Sequence, residues 1–216
     1  MTNVLFIQGN PKSLSESTSR QLGQQFVDAY VAAHPGAQVT SLDLYQAEIP
    51  LIDADVMTGW GKLARQEDLL PHEAQKVARL GELVDQFLAA DLLVFAAPMW
   101  NFGYPPMVKA YMDAVAVAGK TFRYGPQGPI GLATGKQAVI VETRGGFWSA
   151  PEASAMEHSA SHLRAFLGFL GVTDVETVFA EGLNFDPGRS DEILADAGER
   201  ARALAGRLAA GTLQPA

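Results

Sequence analysis

The chain contains no cysteine among its 216 residues. Disulfides, thiolate nucleophiles and cysteine-ligated metal centres are therefore excluded. Positive charge is also scarce: 16 Lys and Arg against 24 Asp and Glu give a formal net charge of -8. That balance argues against nucleic acid or an anionic membrane as a main partner. Long apolar runs are missing too. The longest, 87–100, is interrupted by Asp91 and is too short to span a bilayer. The start, Met1-Thr2-Asn3, has no basic segment of the signal-peptide kind, so a soluble cytoplasmic protein is the expectation. No Gly-x-Ser-x-Gly occurs, and serine-hydrolase chemistry lacks its usual signature. His158 and His162 are four apart, a spacing that suits a metal on one helix face. Glu157 is the only acid beside them, so a packed or solvated helix face is the better reading and no metal is expected.

What is present is apolar material, 48% of the chain, enough for one sizeable core in a single domain over 1–216. Val4-Leu5-Phe6-Ile7 and Asp91-Leu92-Leu93-Val94-Phe95-Ala96-Ala97 are continuous apolar runs, read as strands buried on both faces. Further strands are expected at 39–44, 137–142 and 172–179. Helical spacing recurs between them: Leu22, Phe26, Tyr30; then Val77, Leu80, Val84, Phe87 over 73–90; then Val108, Tyr111, Met112, Val115; then 153–170 and 190–209. The segment 49–70 reads as an irregular acidic connection, long enough to be functional. Residues 121–135 read as a hairpin-like insertion, and the tail to 216 as frayed. Strands alternating with helices predict an α/β fold with a doubly wound parallel sheet of five strands, order 2-1-3-4-5, the flavodoxin-like arrangement.

In that topology the loops after the first, third and fourth strands meet in one crevice. The first loop carries Asn10, Ser13, Ser15, Ser17, Thr18 and Ser19 ahead of a helix. Hydroxyls and a helix N-terminus suit a phosphate monoester; ordinary helix capping is the alternative. After the third strand, Met99-Trp100-Asn101-Phe102 offers apolar surface and one amide for a flat ligand with polar edges, or else a plug for the core. After the fourth, Thr143-Arg144-Gly145-Gly146 offers close backbone approach and a fixed cation, or a glycine turn with a surface arginine. Two other matches are accidental by context. Residues 114–121 imitate a phosphate-binding loop but close a helix instead of opening one, and 59–64 imitate a dinucleotide fingerprint without a preceding strand.

Together these stretches resemble the FMN-dependent NADH-azoreductases. The segments that carry the resemblance are 96–102, Thr121-Phe122-Arg123-Tyr124, 131–136, 143–146, 166–171 and 179–182. The resemblance implies FMN as cofactor, with its phosphate on Ser17, Thr18 and Ser19 and its ring against Met99, Trp100, Asn101, Phe102, Thr143, Arg144, Gly145 and Gly146. The family often has serine where this chain has Asn10, which is carried over as a phosphate contact. It also implies hydride transfer from NADH or NADPH to the flavin, then to a quinone or azo compound in a second half-reaction, and a homodimer. No side chain is assigned as catalytic. Trp60 and Phe122 are candidates for the wall facing the substrate, or equally for core packing. The rival reading is a flavodoxin-type electron carrier that binds FMN without a small-molecule substrate.

Overall fold

The computed structural model describes residues 2–211; the tail beyond 211, expected to fray, lies outside the described residues. The chain runs β1 (Thr2–Gln8), α1 (Thr18–Ala33), β2 (Ala37–Asp43), α2 (Ala54–Ala64), α3 (Pro71–Ala89), β3 (Leu92–Pro98), α4 (Pro106–Val115), β4 (Phe122–Gly125), β5 (Gly128–Gly131), β6 (Gln137–Thr143), α5 (Ala160–Leu170), β7 (Asp174–Ala180) and α6 (Ser190–Ala209). The main sheet has the order β2-β1-β3-β6-β7, every neighbouring pair parallel. With the antiparallel β4–β5 hairpin set apart, this is the predicted order. The chain reverses its direction of winding between β1 and β3, the switch point at which such sheets bind ligands.

Successive residues of a strand point to opposite faces, so the continuous apolar runs feed two cores. Leu5, Ile7, Leu93, Phe95 and Ile140 pack under α3, α4 and α5. Val4, Phe6, Val94, Val139 and Val141 pack under α1 and α6. The hairpin is seated where Gly131 lies directly on the Leu170–Gly171 backbone; any side chain there would collide with main chain that cannot step aside.

Two segments differ from expectation. The stretch 49–70 holds a helix, α2. Asp53 caps it by accepting from the Val56 amide at 3.1 Å, Lys76 binds Asp53 and Asp55 at 2.5 and 2.6 Å, and Lys62 binds Glu73 of α3 at 2.7 Å. The acidic residues that read as loop are thus the cap and anchors of a helix. The helix expected over 153–170 begins only at Ala160. The Glu157 carboxylate turns back on the amides of Ser159, Ala160 and Ser161 at 2.7, 2.7 and 3.1 Å, which fixes the first turn there, after a short 3-10 turn at Ser154–Met156. The phosphate-loop look-alike closes α4, with the Thr121 hydroxyl donating to the Val115 carbonyl at 2.7 Å. The fingerprint look-alike lies inside α2. Among the described residues no helix is long and apolar enough to cross a membrane.

At the open edge of the sheet, β7 is attended by two arginines. Arg164 of α5 donates to the Val175 carbonyl at 2.6 Å, and Arg200 of α6 to the Phe179 carbonyl at 2.9 Å.

Candidate functional site

Three loops leave the carboxyl ends of the adjacent strands β1, β3 and β6, and the backbone ties them together. The Gly9 amide donates to the Ala96 carbonyl at 2.9 Å, the Met99 amide to the Thr143 carbonyl at 2.9 Å, and the His158 amide to the Phe102 carbonyl at 2.8 Å. A site built on such a scaffold is preorganised.

In the first loop the hydroxyls divide. Ser13 and Ser15 are exposed and bond each other at 3.0 Å, and Ser13 also donates to Glu16. Ser17 and Ser19 are 1% and 0% exposed. Ser17 caps α1, accepting from the Arg20 amide at 3.3 Å, so the capping alternative is real. Its hydroxyl also lies 3.2 Å from that of Ser19, and the Asn10 amide reaches Ser19 at 3.5 Å. Three buried polar side chains therefore stand together at the positive end of a 16-residue helix, with Thr18 half-buried between them. Such a donor set fits a phosphate dianion.

The second loop turns tightly. Trp100 and Gly103 exchange both backbone hydrogen bonds, at 2.8 and 2.9 Å. The two residues between them, Asn101 and Phe102, have φ of 48° and 70°. Left-handed backbone costs about 1–2 kcal/mol per non-glycine residue, and asparagine tolerates it better than phenylalanine. Strain of this kind clusters at binding sites. The turn leaves Trp100 41% and Phe102 39% exposed beside the half-buried Met99: an apolar platform, not a core plug.

The third loop departs from expectation at Arg144. The backbone of 143–146 lines the end of β6, but the Arg144 side chain is 1% exposed and is no surface cation. Arg144 is the residue just past β6, but its amide still donates to the Ala180 carbonyl at 2.8 Å, so its side chain continues the face of Glu142 two residues before. Arg144 Nε donates to Glu142 at 2.5 Å, Nη1 to Glu181 at 2.8 Å, and Nη2 lies 3.6 Å from Glu157. The guanidinium also covers the Phe179 ring at 3.8 Å. Three carboxylates thus surround one buried cation, and the guanidinium is withdrawn from any ligand in the crevice. Burial raises the Glu142 carboxyl above its ordinary value against the pull of Arg144. Burial pushes Glu157 the same way, but hydrogen bonds from Ser159 and Ser161 and the charge of Arg144 hold it low. The Tyr104 hydroxyl, pushed far up by burial and by Glu142, faces this nest.

Glu181 does more than balance charge. It accepts from the Trp148 and Ser149 amides at 2.9 and 3.0 Å, which sets the loop after Gly146. The Trp148 ring then meets Phe102 edge-on at 5.2 Å. Gly145 and Gly146 are small because Asn184 and Trp148 fill the space a Cβ would need, 2.8 and 3.2 Å away. The close approach read from the two glycines is realised by the chain's own side chains.

Of the substrate-wall candidates, Phe122 is 8% exposed and packs on Phe169 at 4.6 Å; the core-packing alternative describes it, because β4 folds back over α5. Trp60 is half-buried on α2 and leans on the same core. Two clefts of about 410 and 420 Å³ flank Phe179 of β7, the second also lined by Arg144, Trp148 and Ser149 of the third loop. One is walled by the Arg189–Glu192 and Arg200–Asp196 ion pairs, chemistry that suits water more than a flat ring. The residues that sequence reading missed are Arg20, Tyr104, Glu142, Trp148, Glu157 and Glu181. One signal was readable: a Glu and an Arg two apart at the end of a buried apolar run must find partners on the same face.

A family model described as flavodoxin-like fold matches residues 2–205. The chain is 46% identical over 207 residues to FMN-dependent NADH:quinone oxidoreductase 2 of Bacillus licheniformis, covering 94% of this chain and 98% of that one. It is 47% identical over 208 residues to the FMN-dependent NADH:quinone oxidoreductase of Geobacillus kaustophilus, covering 95% and 99%. Among solved structures, an azoreductase of Bacillus anthracis superposes with a TM-score of 0.89 at 37% identity, over 96% of this chain and 100% of that chain. An FMN-dependent NADH-azoreductase of the same species, solved in complex with FMN, superposes with a TM-score of 0.91 at 29% identity, over 97% and 100%. The fold, the three loops and these likenesses agree: the chain belongs to the flavodoxin-like family and, within it, to the FMN-dependent NADH:quinone oxidoreductases and azoreductases.

Proposed function

We propose that this protein is an FMN-dependent oxidoreductase that takes electrons from NADH and reduces quinones and azo compounds, working as a homodimer. One observation carries the reading of the site: buried Asn10, Ser17 and Ser19 before and at the start of α1 stand in the loop next to the platform of exposed Trp100 and Phe102 with half-buried Met99. When bound, FMN supplies the two-electron chemistry, accepting hydride from NADH and delivering it to the acceptor.

The chain's part is to bind, orient and shield. The three buried polar side chains, Thr18 and the first-turn amides of α1 hold the phosphate without spending a charged side chain. Met99, Trp100 and Phe102 give the ring an apolar contact and displace water from it. Asn101 and the backbone of Thr143, Arg144, Gly145 and Gly146 serve its polar edge. The Arg144 side chain contributes by fixing that backbone from behind. Trp60, the aromatic of α2, and Phe122 of β4 are the candidates for the acceptor side. The exposed aromatics Trp100, Phe102, Phe147 and Phe185 supply apolar surface for a second copy to cover.

An electron carrier of the same fold would bind FMN equally well, and turnover separates the two. Mass spectrometry of the released chromophore should give FMN, and the loaded protein should oxidise NADH steadily with a quinone. FAD, no flavin uptake, or reduction that stops after one equivalent would each overturn the reading.

A further inference from the structure

Arg20, at the third position of α1, stands behind the first loop and does not enter the crevice. Its Nε donates to the Gln8 side chain at 2.9 Å. Its Nη1 donates to the Lys12 carbonyl at 2.8 Å and to the Asn10 carbonyl at 3.4 Å. The same nitrogen pairs with Asp43, at the end of β2, at 2.9 Å. The side chain is 14% exposed, and its charge is met by Asp43. One planar fork therefore gathers the end of β1, two carbonyls of the loop and the end of β2. Arginine suits this task because its donors are fixed in one plane.

The consequence lies on the loop's other side. The Lys12 carbonyl shares its peptide unit with the Ser13 amide, which therefore faces the other way; the Asn10 carbonyl precedes Pro11, whose nitrogen carries no hydrogen, so holding it only turns an acceptor aside. With the carbonyls of Asn10 and Lys12 held by Arg20, this stretch of loop cannot rotate to aim an acceptor at an anion. The Lys12 amide is meanwhile bonded to Asn10 Oδ1 at 3.0 Å, which orients the Asn10 carboxamide so that its donor end faces Ser19.

We infer that Arg20 is a positioning residue for the FMN phosphate, holding the Asn10 and Lys12 carbonyls turned away from the anion and so keeping the Ser13 amide and the donor end of Asn10 on its side. The inference rests on the phosphate reading of that loop. It adds a requirement for guanidinium geometry, separate from positive charge.

Riboflavin, which is FMN without the phosphate, isolates the effect. Apoprotein is titrated with FMN and with riboflavin, following flavin fluorescence, in the wild type, Arg20→Ala and Arg20→Lys. Arg20→Ala should weaken FMN roughly tenfold or more, the size of one lost bond to a charged group, with riboflavin affinity unchanged, so the preference for FMN collapses. Arg20→Lys keeps the charge beside Asp43 but loses the fork, and should show the same collapse; it also serves if Arg20→Ala does not fold. Parallel loss for both flavins would assign Arg20 to general stability and overturn the inference. A lysine variant with full FMN preference would assign it to charge, which also overturns it. A wild type that binds the two flavins alike would overturn the phosphate reading itself, and this inference with it.

Discussion

Two arginines serve adjacent parts of this molecule in opposite ways. Arg20 spends its donors on neutral carbonyls and an amide oxygen, with a single carboxylate beside it. Arg144 is enclosed by three carboxylates and an aromatic ring. The first arrangement leaves the loop before it neutral and rich in donors. The second consumes a charge completely and turns it into a clamp between β6, α5 and the end of β7. A ligand in the crevice therefore meets hydroxyls and amides, and the more conspicuous cation is already committed. Buried charge in a protein is as often framework as ligand, and the partners on its own face decide which.

The comparison is tested most severely at the clamp. Arg144→Met removes the counter-charge and leaves three carboxylates facing one another out of water. Removing one partner of a buried ion pair costs about 3–5 kcal/mol, and denaturant unfolding of the flavin-free protein should show a loss of that order. A loss below about 1 kcal/mol would mean that the nest is held by packing and not by charge. At the other arginine's loop, Ser17→Ala with Ser19→Ala should leave most of the stability intact, a lost cap costing about 0.5–2 kcal/mol. FMN affinity should fall by roughly 1.5–3 kcal/mol for each lost bond to a charged group, read by flavin titration. An unchanged affinity would reduce these serines to helix capping.

The smallest effect concerns pH. Burial raises Glu142, so between the ordinary carboxylate value and its own the folded state holds a proton that the unfolded state has released. Its contribution to stability therefore falls as pH rises through that window. Glu157, held low, contributes above the ordinary value and loses that contribution as pH falls below it. Glu142→Gln should remove the first dependence and keep the second, as followed by urea unfolding across mildly acidic pH. A pH profile identical to the wild type's would show that Glu142 does not titrate in that window.

The sheet order was legible because the runs at 4–7, 91–97 and 137–142 are apolar without alternation, and only strands buried on both faces read that way. The convergence of the three loops followed from that order. The helix α2 was not legible, because Gly59 and Gly61 weaken the local helical signal, and what stabilises it lies elsewhere in the chain: Lys76 and Glu73 on α3. Arg144 was legible as important but not as enclosed. Glu142 is two residues before it, but Glu181 arrives from the end of the next strand, 37 residues away. Phe122 left two readings open in the sequence, substrate wall or core, because its contact with Phe169 depends on how the hairpin folds.

The attended edge at β7 bears on how this protein behaves when crowded. An unpaired strand edge is a template for the next strand, and sheets that grow by such templating become fibres or precipitates. Here the outward carbonyls of Val175 and Phe179, on either side of Thr177, are already taken, so an incoming strand finds two of its acceptors occupied and cationic side chains in its path. The guards sit on α5 and α6, helices from opposite faces of the sheet. A partial opening that releases either helix exposes apolar core and an adhesive edge in the same instant. Self-association and loss of core packing are thereby coupled through both helices.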